Sequence, residues 1–327
     1  MKLIRLTTVL FSLSLSISLV LSSLPSRAET QQDKLINYGD FYLHKGKLSE
    51  ALSYYEKALK GAVKKDVYYL KRGIALNKLD RPKEALRDFN KVIELSPQMS
   101  KAFLWRGETY SDMGMYKKAI VDFNKALKLP GPERILLFRW RATAKNGTGD
   151  TEGAIKDSNR AIRIILRQRE RHKDPAFRSY ELARMYELRG NLYYNQKQYE
   201  LASSDFENSL KNGINTDTVY DILARSYANF GDYKQAVRVY SKLISFNKRD
   251  DSAYARRGQI YMKMKQYKDA AQDFTLAIDN YPGESPFRLY LQRAEAYEKA
   301  GLKSRAAQDR ITAKKAKKKF YSTDIKF

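Results

Sequence analysis

Arginine and aspartate recur in this sequence at a fixed separation of sixteen residues. The pairs are Arg72 and Asp88, Arg106 and Asp122, Arg141 and Asp157, Arg189 and Asp205, Arg257 and Asp273, and Arg293 and Asp309. A guanidinium facing a carboxylate can form two parallel, charge-assisted hydrogen bonds. The spacing therefore predicts six bidentate ion pairs; a ladder of arginines that binds a ligand is the functional alternative.

Residue types that commonly carry catalysis are scarce. The sequence has no cysteine, which removes thiolate nucleophiles, thiolate metal ligands and disulfides, and its two histidines, His44 and His172, are far apart along the chain. The sequence contains no metal-ligand spacing, nucleophile motif or phosphate-binding glycine loop. We therefore expect a protein that is not an enzyme and that uses neither a cofactor nor a metal.

The arginines and aspartates belong to an internal repeat. The segment EALSYYEKAL, which begins at Glu50, returns as EALRDFNKVI at Glu84 and then continues in degenerate form. The recurrent alanines are Ala51, Ala85, Ala119, Ala154, Ala202, Ala236, Ala270 and Ala306, and four of the seven intervals are 34 residues long. A unit of this length cannot bury its own apolar face and must stack on its neighbours. The sequence therefore predicts an all-α solenoid of about eight repeats.

A small residue recurs within the first helix of each repeat. With the recurrent alanine numbered twenty, position eight is Gly39, Gly73, Gly107, Gly190 and Gly258, and Ala142, Ala224 and Ala294 in the other repeats. A glycine inside a helix costs about 1 kcal/mol relative to alanine. Its recurrence at one phase predicts a close approach of the second helix, with the alanine at position twenty as the contact and bulky residues at positions eleven and twenty-four around it.

Two repeats lack the arginine at position seven, and both also lack the aspartate at position twenty-three. Tyr38 faces Tyr54 in the first repeat, and Leu223 faces Val239 in the sixth. Because the two charged residues are lost together, we expect them to meet between the two helices of one repeat.

The small and large residues at positions eight, eleven, twenty and twenty-four resemble the tetratricopeptide repeat family over about residues 32–313. The resemblance implies helix-turn-helix units stacked in a right-handed superhelix, with a concave groove for extended peptides or partner helices. The family's carboxylate clamp for a peptide C-terminus is not matched, because Glu187 and Ile222 occupy positions near Asn191 where that clamp needs other residues. Binding of chaperone tails by that route is therefore disfavoured.

The groove is predicted to be lined by positions two, five, six, nine, twelve and thirteen of the first helix, opposite the core. Position six carries Trp105, Trp140, Leu188 and Ile222 in four successive repeats, and the same face supplies Arg139, Arg184, Arg225, Asn146, Asn191, Tyr194, Asn195 and Asn229. This composition suits a protein or peptide segment with an apolar anchor and an acidic flank. The alternatives are turn formation for the asparagines and packing against an adjacent helix for the tryptophans.

The N-terminus has the features of a secretory signal peptide. Lys2 and Arg5 precede an apolar run over residues 9–24, which is followed by Pro25 and a small-residue pattern that ends at Ala28. These features predict removal of residues 1–28 and a protein secreted across the inner membrane, periplasmic or extracellular. An uncleaved membrane anchor is the alternative.

The chain is strongly basic, with 62 Lys and Arg against 37 Asp and Glu. Basic residues cluster in a tail over residues 314–327 and in an insertion at about 162–182, which includes Arg163, Arg167, Arg169, Arg171 and Lys173. We expect the insertion to lengthen a second helix to about residue 172 and to break near Pro175. Such segments are either solvated surface or contacts for a polyanion, and secretion favours anionic lipid or wall polymer over nucleic acid.

Two functions are therefore open at this level. The first is a scaffold that binds a protein or peptide in its groove and aids assembly or trafficking of an envelope or secreted complex. The alternative is a binder of anionic lipid, wall polymer or another polyanion through the insertion and the tail. Polyanion binding should weaken steeply with salt, whereas apolar anchoring should not.

Overall fold

The computed structural model describes residues 30–61, 65–131, 134–167, 175–283 and 286–323, and these residues form sixteen α-helices and no strand. Consecutive helices pair into eight helix-turn-helix repeats, which confirms the predicted all-α fold and repeat number. The chain divides into two compact units, Met1–Gly131 (unit 1) and Pro132–Phe327 (unit 2).

Unit 1 contains the first three repeats. Its helix pairs are α1 (Gln31–His44) with α2 (Leu48–Lys60), α3 (Asp66–Lys78) with α4 (Pro82–Leu95), and α5 (Ser100–Asp112) with α6 (Tyr116–Lys128). Each turn inside a pair has a positive φ at position fifteen, where the residues are Gly46, Asp80 and Gly114. Glycine and aspartate tolerate this left-handed conformation better than most residues, so the chain can reverse there.

Unit 2 contains the other five repeats. Its helix pairs are α7 (Arg134–Gly147) with α8 (Thr151–Arg167), α9 (Pro175–Asn195) with α10 (Tyr199–Lys211), α11 (Asp217–Phe230) with α12 (Tyr233–Phe246), α13 (Asp251–Lys263) with α14 (Tyr267–Asn280), and α15 (Phe287–Lys299) with α16 (Lys303–Thr323). The helix α16 extends well into the predicted basic tail. No helix in the described part of the chain is long and apolar enough to cross a bilayer.

The insertion lengthens the helices on both of its sides. The helix α8 has 17 residues and α9 has 21, and α9 begins at Pro175, a residue that suits the first turn of a helix. Arg163 and Arg167 are exposed on α8. Arg169, Arg171 and Lys173, with the predicted helix end near residue 172, lie outside the described residues, as does the predicted signal peptide.

The predicted close approach at position eight is present, but its partner differs from the expected one. A Cβ added to Gly107 would lie 2.7 Å from the ring of Phe123, and a Cβ on Gly73 would lie 2.7 Å from Phe89. These rings occupy position twenty-four and are fully buried. The nearest obstacle is therefore the aromatic ring rather than the alanine at position twenty.

All six predicted ion pairs form. Nε and Nη2 of Arg106 donate to the two carboxylate oxygens of Asp122 at 2.8 and 2.7 Å. The other five pairs have the same bidentate geometry, with distances of 2.6–2.8 Å. The aspartate side chains are at most 7% exposed. These arginines therefore hold the two helices of a repeat together, which favours the structural role over the ligand-binding ladder.

The same arginines also join neighbouring repeats. Nη1 of Arg106 donates to the side-chain oxygen of Asn90 in the preceding repeat, and Nη1 of Arg257 donates to Ser241 in the same way. The guanidinium of Arg257 also lies over the rings of Tyr254 and Tyr261, at 5.6 and 5.9 Å. Hydrogen bonding to Asp122 raises the pKa of Arg106, and hydrogen bonding to Asp273 raises the pKa of Arg257.

The two repeats without the ion pair replace it with apolar contact, as predicted. The rings of Tyr38 and Tyr54 lie 5.5 Å apart, and Leu223 belongs to an apolar cluster against which Val239 packs. Where arginine and aspartate are both absent from the sequence, the two residues at these positions therefore contact each other in the fold.

Candidate interaction surface

Several of the predicted groove residues of unit 2 line one cleft of about 350 Å³, here named the Trp140 cleft. Its walls are the first helices of the fourth and fifth repeats, α7 and α9. The lining residues are Arg139, Trp140, Thr143, Tyr180, Arg184, Glu187, Leu188 and Asn191. Five of the twelve predicted groove residues are therefore neighbours in space.

The floor of the Trp140 cleft is apolar. Trp140 is half-buried, and Leu188 packs against the buried cluster of Ala142, Ala154 and Leu192. Tyr180 adds a ring that is 53% exposed. Sequence reasoning missed Tyr180 because it lies in the extension of α9 that the insertion provides, outside the repeat register.

Carboxylates already accompany the cations of this cleft. Nη1 of Arg139 lies 3.5 Å from Oε1 of Glu181, whose side chain is only 3% exposed, and the guanidinium lies 5.3 Å from the centre of the Trp140 ring. Arg184 is exposed and lies 3.4 Å from Glu187 on its own helix. Exposed pairs of this kind are weak, so Arg184 can exchange partners more readily than Arg139 can.

A second cleft of about 200 Å³, named the Arg225 cleft, lies on the next repeats of unit 2. Its lining residues are Tyr194, Arg225, Ala228, Asn229, Tyr240, Arg256, Gln259, Ile260 and Lys263. The guanidinium of Arg225 lies 5.2 Å from the centre of the Tyr194 ring. Asp221 lies within 3.6 Å of both Arg225 and Arg256. One nearby carboxylate and three lining cations leave this cleft with a basic excess.

A third cleft of about 610 Å³ continues the surface into the seventh and eighth repeats. It shares Arg256 and Gln259 with the Arg225 cleft and adds Asp251, Ser252, Ala255, Tyr281, Pro286, Phe287, Arg288, Leu289 and Gln292. Arg256 and Gln292 occupy position six, the register that predicted the tryptophan stripe. Their polar side chains do not continue that apolar stripe, so the sequence pattern does not mark them as groove residues.

The remaining predicted residues have other surroundings. Trp105 belongs to unit 1, where its half-buried ring packs against the cluster that contains Leu70 and Phe89. This contact favours the alternative for Trp105, which is packing against an adjacent helix rather than contact with a ligand. Ile222 is half-buried against the cluster of Val219 and Leu223.

The asparagines differ among themselves. Asn146, Asn195 and Asn229 are exposed near the ends of first helices. Nδ2 of Asn191 donates at 2.9 Å to the backbone oxygen of Glu187 in its own helix. Of the four predicted asparagines, Asn191 lines the Trp140 cleft and Asn229 lines the Arg225 cleft.

The predicted composition of the groove face needs one correction. Position five was expected to face solvent, but Leu70 and Leu104 at that position are 6% and 2% exposed, and Ser111 at position twelve is also buried. Leu70 packs against Leu52 of the preceding repeat. Stacking of repeats therefore covers part of the face that a single helix would leave open.

The chemistry that this surface offers is stacking, apolar contact and hydrogen bonding. Aromatic rings, guanidinium groups and side-chain amides line all three clefts. Among the described residues, no group of three or more histidines and carboxylates could hold a metal ion.

Solved structures with the same helical architecture include proteins of several origins. PilW, a type IV pilus biogenesis factor, has a TM-score of 0.57 at 14% identity, with 66% of this chain and 94% of that chain covered. PilF of Pseudomonas aeruginosa has a TM-score of 0.54 at 16% identity, with coverages of 66% and 92%. The Cut9–Hcn1 hetero-tetramer of APC/C has a TM-score of 0.50 at 16% identity, with coverages of 88% and 50%. At these identities the similarity shows the fold alone.

Three sequence profiles, each of tetratricopeptide repeats, match the chain directly. One matches residues 100–129, the second matches residues 223–285, and the third matches residues 35–60, 67–99 and 183–212. Together they cover more than half of the sequence. The chain therefore belongs to the tetratricopeptide repeat family.

Proposed function

We propose that the protein is a non-catalytic scaffold that binds a protein or peptide segment along the first helices of unit 2. The observation that carries this proposal is the series of three clefts, from the Trp140 cleft to the cleft at Gln292. A row of clefts along successive first helices suits an extended segment better than a compact small molecule.

The composition of the clefts indicates the chemistry of that segment. Trp140, Leu188 and Tyr180 offer an apolar seat, and tryptophan and tyrosine are enriched among the residues that dominate binding energy. Arg256 and Lys263 offer positive charge farther along the surface. The segment therefore carries an apolar anchor at one end and acidic residues towards the other.

The proposed setting is the cell envelope or the secreted fraction. The support is the predicted signal peptide, together with the similarity of fold to a pilus biogenesis factor. In this setting the scaffold aids assembly or trafficking of a larger complex.

The experiment is affinity purification of the full-length chain from its native source, with quantitative identification of co-purifying proteins. Trp140→Ala should deplete the partner severalfold, because the anchor loses its aromatic wall. The matched control is Leu201→Ala, which removes a half-exposed side chain from α10, a second helix of the same unit. A partner retained equally by the wild type and by both variants contradicts binding at the Trp140 cleft.

The second candidate function is binding of an anionic lipid or polymer. The observation that favours it is the exposed run of Lys314, Lys315 and Lys318 on α16. Co-sedimentation with phosphatidylglycerol vesicles should fall steeply as salt rises and should be lost when these three lysines are replaced by glutamine. Equal sedimentation of the wild type and the triple variant rejects this second function.

A further inference from the structure

Position ten of the first helix is buried in every repeat that follows another repeat of the same unit. The residues are Ala75, Thr109, Leu192, Ser226, Ile260 and Ala296, and all are at most 4% exposed. Ala75 packs with Ala51 and Tyr55, and Ile260 packs with Ala236 and Tyr240. Position ten therefore packs against positions twenty and twenty-four of the preceding second helix.

The first repeat leaves this contact open. Phe41 occupies position ten of α1 and is 54% exposed, and Tyr38 at position seven is 56% exposed. No helix precedes α1 in the described part of the chain. Together with Lys34, Asn37 and Tyr42, these two rings line a cleft of about 560 Å³, here named the end cleft. Contiguous exposed apolar side chains, such as these two neighbouring rings, mark interaction surfaces in soluble proteins.

The rings that line the end cleft pack against a ring of α2, so the cleft is preformed. The ring of Tyr54 on α2 stacks on Tyr42 with 5.3 Å between ring centres, and it lies 5.5 Å from Tyr38. Phe41 and Tyr42 lie edge to face at 5.5 Å. A partner would meet aromatic groups that already pack against one another, so little side-chain freedom is lost on binding.

Lysines bracket the aromatic residues. Lys34 lies on the same stripe of α1 as Tyr38 and Phe41, and Lys45, the C-cap residue of this helix, continues the spacing of four, three and four. Nζ of Lys45 lies 5.8 Å from the centre of the Phe41 ring. None of the five residues that line the end cleft is acidic.

Lys34 also departs from the repeat pattern. It occupies position three, where the other repeats have Tyr68, Ala102, Leu137, Met185, Val219, Ala253 and Leu289. A helix that covers the end cleft must therefore meet a positive charge where repeats of this chain meet an apolar side chain.

We propose that the end cleft binds an acidic amphipathic helix of a partner protein, which lies where the second helix of a preceding repeat would lie. A small residue and a large apolar residue four positions later would contact Phe41, as positions twenty and twenty-four do in the other repeats. Carboxylates of the same helix would face Lys34 and Lys45. This surface belongs to unit 1, shares no residue with the clefts of unit 2, and goes beyond the function proposed above.

Charge disfavours a second copy of this chain as the occupant. The last helix, α16, carries Lys314, Lys315 and Lys318, so a second copy joined end to end would place lysines against lysines. An acidic helix from another protein lacks this penalty.

Two peptides from this chain provide matched probes. Residues 267–280 hold Ala270 and Phe274 at positions twenty and twenty-four, with one lysine against three aspartates. Residues 116–128 hold Ala119 and Phe123 at the same positions, with four lysines against one aspartate. Both peptides are stapled to remain helical, because isolated helices of this length are marginal in water.

Binding of each labelled peptide to the full-length chain is measured by fluorescence anisotropy. The acidic peptide should bind, and Phe41→Ser should weaken it on the order of tenfold or more, whereas Val121→Ser, an exposed position on α6, should not. Lys34→Glu combined with Lys45→Glu should reverse the preference in favour of the basic peptide. Thermal melts of all variants confirm that each protein is folded.

Three results overturn the proposal. The first is equal binding of both peptides, or binding that Phe41→Ser leaves unchanged. The second is concentration-dependent self-association in sedimentation velocity that Phe41→Ser abolishes, since the occupant is then a second copy. The third is binding of the acidic peptide only after residues 1–29 are deleted, since the cleft is then covered by the chain itself.

Discussion

The phenol of Tyr240 donates a 2.8 Å hydrogen bond to Oδ1 of Asp221 on the facing helix of the same repeat. That oxygen also lies 3.2 Å from Nη1 of Arg256 in the following repeat. One carboxylate therefore joins the two helices of the sixth repeat to the first helix of the seventh.

The first repeat contains the same arrangement. Tyr55 donates to Asp40 at 2.7 Å, and Nζ of Lys71 in the following repeat donates to both oxygens of that carboxylate. The first and sixth repeats are those that lack the arginine–aspartate pair. A tyrosine, an aspartate and a cation therefore supply there the link that the ion pair supplies elsewhere.

Stability should become sensitive to alkali through Tyr240. Burial raises the pKa of its phenol above the ordinary value of 10.0, and the charge of Asp221 raises it further. Because the folded-state pKa lies above the unfolded one, this contribution is complete below about pH 10 and is lost as the pH rises through the folded-state pKa. Tyr240→Phe should flatten the fall in unfolding free energy above about pH 10.

Urea denaturation at a series of pH values measures this effect. At neutral pH, Tyr240→Phe should cost about 1–3 kcal/mol, because Asp221 loses a hydrogen-bond donor in a partly buried site. Tyr180→Phe is the control, since that ring is exposed. Identical alkaline slopes for the wild type and Tyr240→Phe would argue against the assigned role.

The buried ion pairs should behave as coupled units. Arg106→Leu leaves the buried carboxylate of Asp122 without its partner and should cost about 3–5 kcal/mol, and Asp122→Val should cost a similar amount. The double variant should cost less than the sum of the single variants, because Leu223 and Val239 already provide an apolar pair at these positions. Strict additivity in urea denaturation would mean that the two side chains do not stabilise each other.

Alanine at position eight should be tolerated according to the space available. Gly107→Ala places a Cβ 2.7 Å from the buried ring of Phe123 and should destabilise by about 1–3 kcal/mol through overpacking. Gly190→Ala places a Cβ 3.2 Å from Phe206, so it should cost less and can gain from helix propensity. Thermal unfolding of both variants decides the order, and a more stable Gly107→Ala would be inconsistent with the packing.

The sequence predicted the contacts that lie inside one repeat. Arg106 and Asp122 stand at a fixed separation, so recurrence of the spacing reveals the contact. The close approach at Gly107 was predicted as well, but the nearest group is the ring of Phe123 rather than the expected alanine at position twenty. Turns whose position fifteen is glycine or aspartate can also be recognised in the sequence, because these residue types tolerate a positive φ. Lys197 and Lys265 also have a positive φ at this position but carry no compositional signal, so only the structure identifies these turns.

Contacts that depend on irregular segments or on stacking could not be predicted in this way. Glu181, the partner of Arg139, lies in the extension of α9, which has no repeat register. The burial of Leu104 depends on how neighbouring repeats stack, and helical periodicity alone does not describe that stacking. The open face at Phe41 becomes recognisable once position ten is seen to be buried in later repeats.

Arg139 should be needed mainly for stability. Arg139→Leu leaves the deeply buried Glu181 without its counter-charge and should cost about 3–5 kcal/mol in urea denaturation. Arg184→Leu removes an exposed guanidinium from the same cleft and should cost less than about 1 kcal/mol. Adding Glu181→Leu to Arg139→Leu should restore part of the loss, because no charge then remains buried. If Arg139→Leu costs as little as Arg184→Leu, then Glu181 does not depend on Arg139 as its counter-charge. Arg139 would in that case belong with the ligand contacts of the cleft.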